Sequence, residues 1–411
     1  MTSPNAAGVG ASSGAGRRLN PAELKIELLC RGALIDSSCR IEEVGRPVRN
    51  RRHDRENGLE LILPGEMRDL WVNVPVLEKY VANSPYLLIG DKAAYFIADQ
   101  IRGYTYPVSP APKPDWYGRS TRRGMPMMQV GFMHGTILQF DIGEQCRIWE
   151  GPPGSATAEE KAVEDVVETA LTARNSSGIT FALLRGGYLG PGSLIRLFPY
   201  IEALKQEVGI LVGVQFPAEA ELRLYDQARA LGVDHFSFPI DLFNQAYAAR
   251  FGTDSCRAQR QELTLRALEY CARAMGKGRA SAEIVAGVEP IESTIEAIGY
   301  FVRTGALPLV FILRPVEGTR LQNLEPPCPD DMLPVFRHLY ETCRSHNLPI
   351  GLLPNIHLSS ILHPVDTVYL ARDASDGRAY QRWIVNMGRV MYPYFQRRMR
   401  RRGSPQADPS A

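Results

Sequence analysis

From Met127 onward, short apolar runs alternate regularly with helical segments, and this alternation restricts the possible folds strongly. The expected strands are Met127–Phe132, Ile179–Leu184, Ile210–Gln215, His235–Ile240, Ala282–Ala286 and Leu309–Leu313, with a weaker seventh run at Ile350–Leu353. Such alternation is typical of βα units around a parallel sheet. No Gly-x-Gly-x-x-Gly turn follows a strand. The pattern therefore predicts an α/β chain with a TIM-like or partial (β/α)6 barrel rather than a doubly wound sheet.

Helices are expected between these strands because apolar residues recur there at helical spacing. They are Thr157–Ala173, Ser193–Glu207, Ala218–Leu231, Cys256–Met275, Ile291–Thr304 and Asp330–Ser345.

The rest of the chain divides by composition into flanking segments. Residues 1–19 are rich in Gly, Ala and Ser and predict a disordered leader. A helix is expected to begin at Asn20, where a capping residue is followed by Pro21 and a returning Glu23. We predict a small N-terminal α+β cap over 20–115, the barrel over 116–353, a C-terminal extension over 354–402 and a disordered tail over 403–411.

The C-terminal extension contains an apolar and aromatic stripe that predicts a helix over Asp376–Arg402, which Pro393 would kink or end. The segment finishes in a basic run. Two interpretations stay open: a helix that packs over the barrel with a solvated basic end, or an arm that docks on a partner or an acidic surface.

Composition excludes several classes of protein. Forty-seven Lys and Arg against 45 Asp and Glu give a net charge of +2, so no overall field favours nucleic acid. The longest apolar run, Leu307 to Leu313, is too short to span a bilayer. The first eighteen residues have no apolar region typical of a signal peptide, so a cytoplasmic protein is expected. The odd number of cysteines, seven, argues against a disulfide framework.

Candidate site residues follow from the barrel topology, because the loops after parallel strands gather at one edge of the sheet. The expected catalytic residues are His134, Glu144, Cys146 and Arg185, and the expected cofactor-binding residues are Gly186, Gly187, Gln215, Asp241, Gly287, Glu289 and Arg314. No spacing of His, Cys or carboxylates predicts a metal site.

Each candidate also has a structural interpretation. The Gly186-Gly187 pair could present backbone N–H groups to a ligand or form a tight turn. Glu289 could bind a ribose diol or an amine, or stabilise the start of a helix. Arg314 could bind a carboxylate or form a salt bridge across the barrel mouth.

Two consecutive segments resemble a known family. Glu283–Ile298, with Ala286-Gly287-Val288-Glu289 near its centre, and Val310–Thr319 resemble the fifth and sixth βα units of biotin-synthase-like radical S-adenosylmethionine enzymes. Arg185-Gly186-Gly187 resembles the Gly-rich strand end of these enzymes. The N-terminal cap is most similar to a bacterial subfamily often encoded beside nitrilases. The resemblance covers roughly residues 20–350 and is most specific over 280–320.

The resemblance implies a barrel that binds S-adenosylmethionine, but this sequence departs from the family at the iron site. Family members hold a [4Fe-4S] cluster with three cysteines in a Cys-x3-Cys-x2-Cys loop. Here the matching loop contains Cys146 alone. One cysteine cannot hold such a cluster, so the cluster is not expected.

Three functional hypotheses follow. The first is a degenerate radical-enzyme barrel, a pseudoenzyme that binds a small molecule such as S-adenosylmethionine or serves as the accessory subunit of a biosynthetic enzyme. The second is an active enzyme on the same barrel that works without the standard cluster. The third is a structural partner that docks through its C-terminal arm, in a homo- or hetero-oligomer. None requires nucleic acid or a membrane span.

Overall fold

The computed structural model describes residues 17–37, 39, 58–91, 94–142, 161–186, 192–251, 257–317, 319, 321–352 and 356–402, with the backbone alone for 257–259, 374 and 392–402. The helix start expected at Asn20 is confirmed. Helix α1 (Pro21–Arg31) begins with a capping box: the Asn20 side chain accepts the N–H groups of Ala22 and Glu23, and the Glu23 carboxylate accepts the N–H of Asn20. This exchange satisfies donors that the first helical turn leaves unpaired.

The N-terminal region forms a six-stranded sheet beside α1. Its strands are β1 (Leu34–Ile35), β2 (Leu59–Leu63), β3 (Leu70–Val74), β4 (Tyr86–Asp91), β5 (Ala94–Asp99) and β6 (Tyr104–Pro110), in the spatial order β1-β4-β5-β6-β2-β3. All neighbours are antiparallel except β1 and β4. In β2, Leu59, Leu61 and Leu63 are buried and alternate with less buried residues, as expected for a strand with one face on the core.

The prediction of a first barrel strand at Met127–Phe132 is wrong. Residues Met127–Val130 form a helical turn, α2, and β7 (Phe132–His134) pairs antiparallel with β8 (Ile137–Asp141). A short apolar run cannot by itself distinguish a strand from a helical turn. Gly135 makes the hairpin between β7 and β8, with a φ of 62° that favours glycine.

The second sheet has seven strands, and its later strands match the expected runs within two residues at either end. After β8 they are β9 (Phe181–Arg185), β10 (Leu211–Gln215), β11 (His235–Asp241), β12 (Ala280–Ala286) and β13 (Leu307–Ile312). The spatial order follows the chain from β7 to β13, and all neighbours from β8 onward are parallel. The expected mixed α/β architecture is therefore confirmed. Every residue of β12 and β13 is buried, as in parallel sheets covered on both faces.

Helices separate the parallel strands. They are α3 (Val163–Ser177), α4 (Ser193–Ala203), α5 (Arg223–Leu231), α6 (Gln245–Phe251), α7 (Arg257–Met275), α8 (Ile291–Thr304) and α9 (Pro329–Ser345). Helix α7 packs on β11 and β12, and α8 packs on β12 and β13. The helix expected at Ile291–Thr304 has these bounds, whereas α6 was not expected.

The expected seventh strand, Ile350–Leu353, is not a strand where it is described: Gly351 and Leu352 form a bend, and Leu353 lies outside the described residues. The segment 356–361 takes the position beside β13 instead. Ile361 forms an antiparallel bridge with Phe311 of β13, and Ser359 accepts the N–H of Asn73 in β3 at 3.1 Å. This segment therefore joins the edge strands of the two sheets.

The last described element is a long helix, α10 (Ala374–Arg402), which follows a 3-10 turn at Asp366–Leu370. The expected C-terminal helix is confirmed, and it continues through Pro393 without ending.

Candidate functional site

A row of polar side chains crosses one face of the second sheet near its carboxyl edge. Gln215 of β10 is paired in register with Arg185 of β9 and Ser237 of β11, and Asp141 of β8 is paired with Arg185. Residues paired in this way point to the same face of a sheet. The strand register thus brings together two expected site residues, Arg185 and Gln215.

Hydrogen bonds connect these side chains into one network, which we call the sheet network (Asp141, Arg185, Gln215, Ser237 and Glu283). Arg185 Nη1 lies 3.4 Å from Asp141 Oδ1, and Arg185 Nε donates to Gln215 Oε1 at 2.9 Å. Gln215 Nε2 in turn donates to Glu283 Oε1, which also accepts from Ser237 Oγ at 2.9 Å. The charged side chains of the network are the carboxylates of Asp141 and Glu283 and the guanidinium of Arg185.

Sequence reasoning missed Glu283 and Ser237. Glu283 lies inside β12 and is 1% exposed, so in the sequence it reads as one polar residue within a core strand. Ser281, two positions earlier in the same strand, forms hydrogen bonds with Ser237 and His235 at 3.0 and 2.9 Å. The only available signal was the recurrence of polar residues at the same register in neighbouring strands.

Glu289, three residues beyond β12, fixes the loop that follows β11. Its Oε2 accepts the backbone N–H groups of Phe243 and Asn244 at 3.0 and 2.8 Å. Its Oε1 is buried and has no hydrogen-bond partner among the described residues. Burial raises the pKa of Glu289, although the two backbone donors oppose this shift. One oxygen is therefore structural, and the other could accept a donor from a ligand.

Asp241 ends β11 in the left-handed region, with a φ of 67°, next to a register shift between β11 and β12. Non-glycine residues adopt this conformation at a cost, and Asp and Asn tolerate it best. Gly287, at the end of β12, has a φ of 95°, and a Cβ there would lie 2.7 Å from Pro327 Cγ. The structure thus gives both residues a backbone role at the edge of the sheet.

Gly186 donates its N–H to the Gln215 carbonyl at 2.7 Å. This N–H is therefore used by the sheet. Gly187, Glu144 and Cys146, which complete the expected loops, lie outside the described residues.

Arg314 and His134 have contacts with other parts of the protein. Arg314 forms an ion pair with Glu78 and donates to Asn73 Oδ1 at 2.8 Å, so it links the end of β13 to the N-terminal region. This arrangement corresponds to the salt-bridge interpretation. His134 pairs with Ile137 at the start of β8, the opposite end from Asp141, and is 5% exposed.

A second buried polar cluster was not expected. It contains Lys25, His357, His363 and Asp366, of which Lys25, His363 and Asp366 have no exposed surface. His357 and His363 are adjacent, with ring centroids 5.0 Å apart. The histidines are visible in the sequence, but Lys25 lies more than 300 residues away from them.

The described cysteines do not fit an iron–sulfur cluster. They are Cys30, Cys39, Cys271, Cys328 and Cys343. Three of them are buried on α1, α7 and α9, and burial raises the pKa of each of these thiols. Iron is bound by the thiolate, which burial disfavours. Within the described part of the chain, no group of three or more His, Cys, Asp or Glu is placed to hold a metal ion.

Comparison with solved structures gives distant similarities. No family model matches the sequence, and no curated protein matches it at a significant level. Among solved structures, coproporphyrinogen III oxidase (HemN) from Escherichia coli, a radical SAM enzyme, is similar with a TM-score of 0.32 and 17% sequence identity. The similarity covers 41% of this chain and 41% of that one, so the chain spans about two fifths of the length of that enzyme. A similarity of this extent does not assign an activity to the chain.

Among the described helices, none combines the length and the apolar content that a membrane span requires.

Proposed function

We propose that this chain binds a cationic small molecule at the carboxyl edge of the second sheet and acts as a binding protein or as the accessory subunit of an enzyme. S-adenosylmethionine is the first candidate ligand. The observation that carries the proposal is the buried Oε1 of Glu289, which has no hydrogen-bond partner among the described residues. A buried carboxylate oxygen costs free energy unless a donor meets it. An amine or a ribose hydroxyl of a ligand would supply that donor.

The sheet network supports a cationic ligand. Asp141 and Glu283 bring two carboxylates to this face of the sheet, where their side chains are 7% and 1% exposed. Coulomb interactions are stronger in such a buried environment than in water. A sulfonium or ammonium group near this edge would be attracted by the two carboxylates.

S-adenosylmethionine, when bound, supplies an electrophilic sulfonium centre. The residues of this chain would bind and orient it: Glu289 by accepting a hydrogen bond, and the sheet network by its charge. Since the described cysteines do not fit a [4Fe-4S] cluster, we include no radical step for the isolated chain.

The first test is calorimetric titration of S-adenosylmethionine into anaerobically purified protein, with iron measured on the same sample. The matched ligand is S-adenosylhomocysteine, which has a neutral thioether in place of the sulfonium. We expect binding without iron, and tighter binding of the charged ligand. If neither ligand binds, the proposal is wrong.

The matched variants are Glu289→Gln and Asp234→Asn. Glu289→Gln keeps the shape of the side chain and removes its charge, and we expect Kd to rise by about tenfold or more, as for the loss of a charged hydrogen bond. Asp234 precedes β11 at the opposite edge of the sheet, where it accepts the N–H of Val212 and pairs with Lys205. Its substitution is expected to leave Kd unchanged.

Cys146→Ala tests the cluster directly. We expect the variant to keep its fold and its affinity for S-adenosylmethionine. Broad cluster absorbance in the reconstituted wild-type protein that disappears in this variant would contradict the non-radical role.

A further inference from the structure

The first three turns of α10 are anchored to the rest of the protein. Tyr380 donates its hydroxyl to the Ile350 carbonyl at 3.1 Å, and the Arg344 guanidinium lies 4.1 Å from the centre of the Tyr380 ring. Tyr380 and Ile384 are each 7% exposed. Arg344 also pairs with Asp376 at 3.2 Å. These contacts hold the start of the helix on α9 and the bend near Gly351.

From Trp383 onward, apolar residues on the same side of the helix other than Ile384 are largely exposed. Trp383 and Val390 are 45% and 73% exposed, and Met387 and Met391 are only half-buried. These residues follow Tyr380 at spacings of three, seven, ten and eleven residues, which place them on one side of an α-helix. The apolar stripe that anchors the first turns of α10 thus continues along the helix as an exposed apolar face.

The other side of α10 is basic. Arg378, Arg382 and Arg389 are exposed and lie four and seven residues apart, on a different side from Tyr380 and Met387. The whole segment 374–402 contains eight arginines and one acidic residue, Asp376, a net of +7, whereas the chain carries only +2. The charge of the protein is therefore strongly concentrated in this helix.

We infer that α10 docks on an anionic lipid surface, with its apolar face in the headgroup region and its arginines on the phosphates. An amphipathic helix with aromatic residues on one face and arginines on the other binds at such an interface without spanning it. The sequence of the last turns, Tyr392 to Phe395 followed by five arginines from Arg397 to Arg402, continues the same chemistry.

Charge argues against the simplest other occupant, a second copy of the helix. Two such segments would bring together two charges of +7, and this repulsion opposes a helix pair. Nucleic acid would match the arginines but would leave Trp383 and Val390 exposed. A lipid surface covers the apolar face and neutralises the charge together.

The test is co-sedimentation of the full chain with vesicles of phosphatidylcholine alone and of phosphatidylcholine mixed with phosphatidylglycerol. We expect binding to the mixed vesicles, a blue shift of tryptophan fluorescence that is lost in Trp383→Phe, and release by salt. Arg382→Gln with Arg389→Gln is expected to weaken binding by about 25-fold, since each interfacial arginine contributes about fivefold. Arg223→Gln, an exposed arginine on α5, is the matched control and is expected to have no effect.

Val390→Asp distinguishes lipid insertion from simple charge attraction. Val390→Asp is expected to abolish the blue shift and to weaken binding to the vesicles. The control is Ile101→Asp, at an apolar residue outside α10 that is 64% exposed, and it is expected to change neither. Circular dichroism checks that each variant is folded. The inference is wrong if mixed vesicles do not bind the chain, if Val390→Asp binds as well as the wild type, or if light scattering shows that α10 instead forms a dimer.

Discussion

Lys25 Nζ lies 3.0 Å from Asp366 Oδ2, and both side chains are completely buried. The other oxygen of Asp366 lies 3.1 Å from His357 Nε2 and 3.6 Å from Arg68 Nε. Burial alone would raise the pKa of Asp366, but Lys25 and His357 hold it well below its usual range. The pair therefore joins α1 to the 3-10 turn before α10 with an ionised carboxylate in the protein interior.

Removal of Lys25 is expected to destabilise the protein strongly. Lys25→Met leaves Asp366 buried without its closest cation, and breaking a buried pair in this way costs about 3–5 kcal/mol in the free energy of unfolding. Denaturation by urea, followed by circular dichroism, measures the change.

The control is the double variant Lys25→Met with Asp366→Leu. Apolar replacement of a whole buried pair is often neutral, so the double variant is expected to recover most of the stability that Lys25→Met loses. If the double variant is less stable than Lys25→Met, the ion pair itself adds to the free energy of unfolding. Its role would then exceed preventing an unpaired buried charge.

Acidification below about pH 6.5 is expected to destabilise the protein through His357 and His363. Burial lowers the pKa of both, while Asp366 partly opposes the shift. The unfolded chain therefore takes up protons near its ordinary histidine pKa, whereas the folded protein does not. The free energy of unfolding should fall by up to about 1.4 kcal/mol per pH unit for each histidine. The loss from Asp366, whose folded pKa is depressed, follows only below about pH 4.

His363→Asn separates this effect from general acid sensitivity. The Asn carbonyl can replace His363 Nδ1, which accepts the N–H of Val365 at 3.1 Å, but it does not titrate. Unfolding measured between pH 5 and 7.5 should show a smaller pH slope in this variant. His346→Asn, at an exposed position, should keep the wild-type slope.

Gly287 is expected to tolerate no side chain. Gly287→Ala combines an unfavourable φ of 95° with a Cβ 2.7 Å from Pro327 Cγ. Gly276→Ala is the matched control, because its φ is 88° and no atom lies within 4 Å of the added Cβ. We expect Gly276→Ala to cost about 1–2 kcal/mol from backbone strain alone, and Gly287→Ala to cost more. If thermal unfolding shows the same loss of stability in both variants, Pro327 moves aside without cost.

Asp241 is expected to be replaceable by Asn but not by Val. Its φ of 67° suits short polar side chains that bond to the nearby backbone, whereas a β-branched residue is strained there. Asp241→Val should lose about 1–3 kcal/mol, and Asp241→Asn should lose much less. Chemical denaturation measures the free energy of unfolding of both variants. If the two variants lose similar amounts, the loss comes from removing the carboxylate charge and not from backbone strain.

The location of the site at one edge of a parallel sheet could be predicted from the sequence, and the partners of its residues could not. Arg185 and Gln215 end consecutive strands, so topology alone places them side by side. Glu289 and Arg314 also come shortly after strands, so the topology places them at the same edge of the sheet. Their contacts with Phe243 and Glu78 depend on how loops and the N-terminal region fold back.

Local elements such as the capped start of α1 and the strands from β9 to β13 follow from the amino-acid sequence alone, because periodicity and capping act over a few residues. Tertiary packing selects the helical turn α2 instead of a strand at Met127–Val130, and it places Ile361 beside β13. It also decided the buried polar contacts, such as Lys25 with Asp366 across 341 positions. A buried charge needs a partner, but only the packing of distant segments determines which residue becomes that partner.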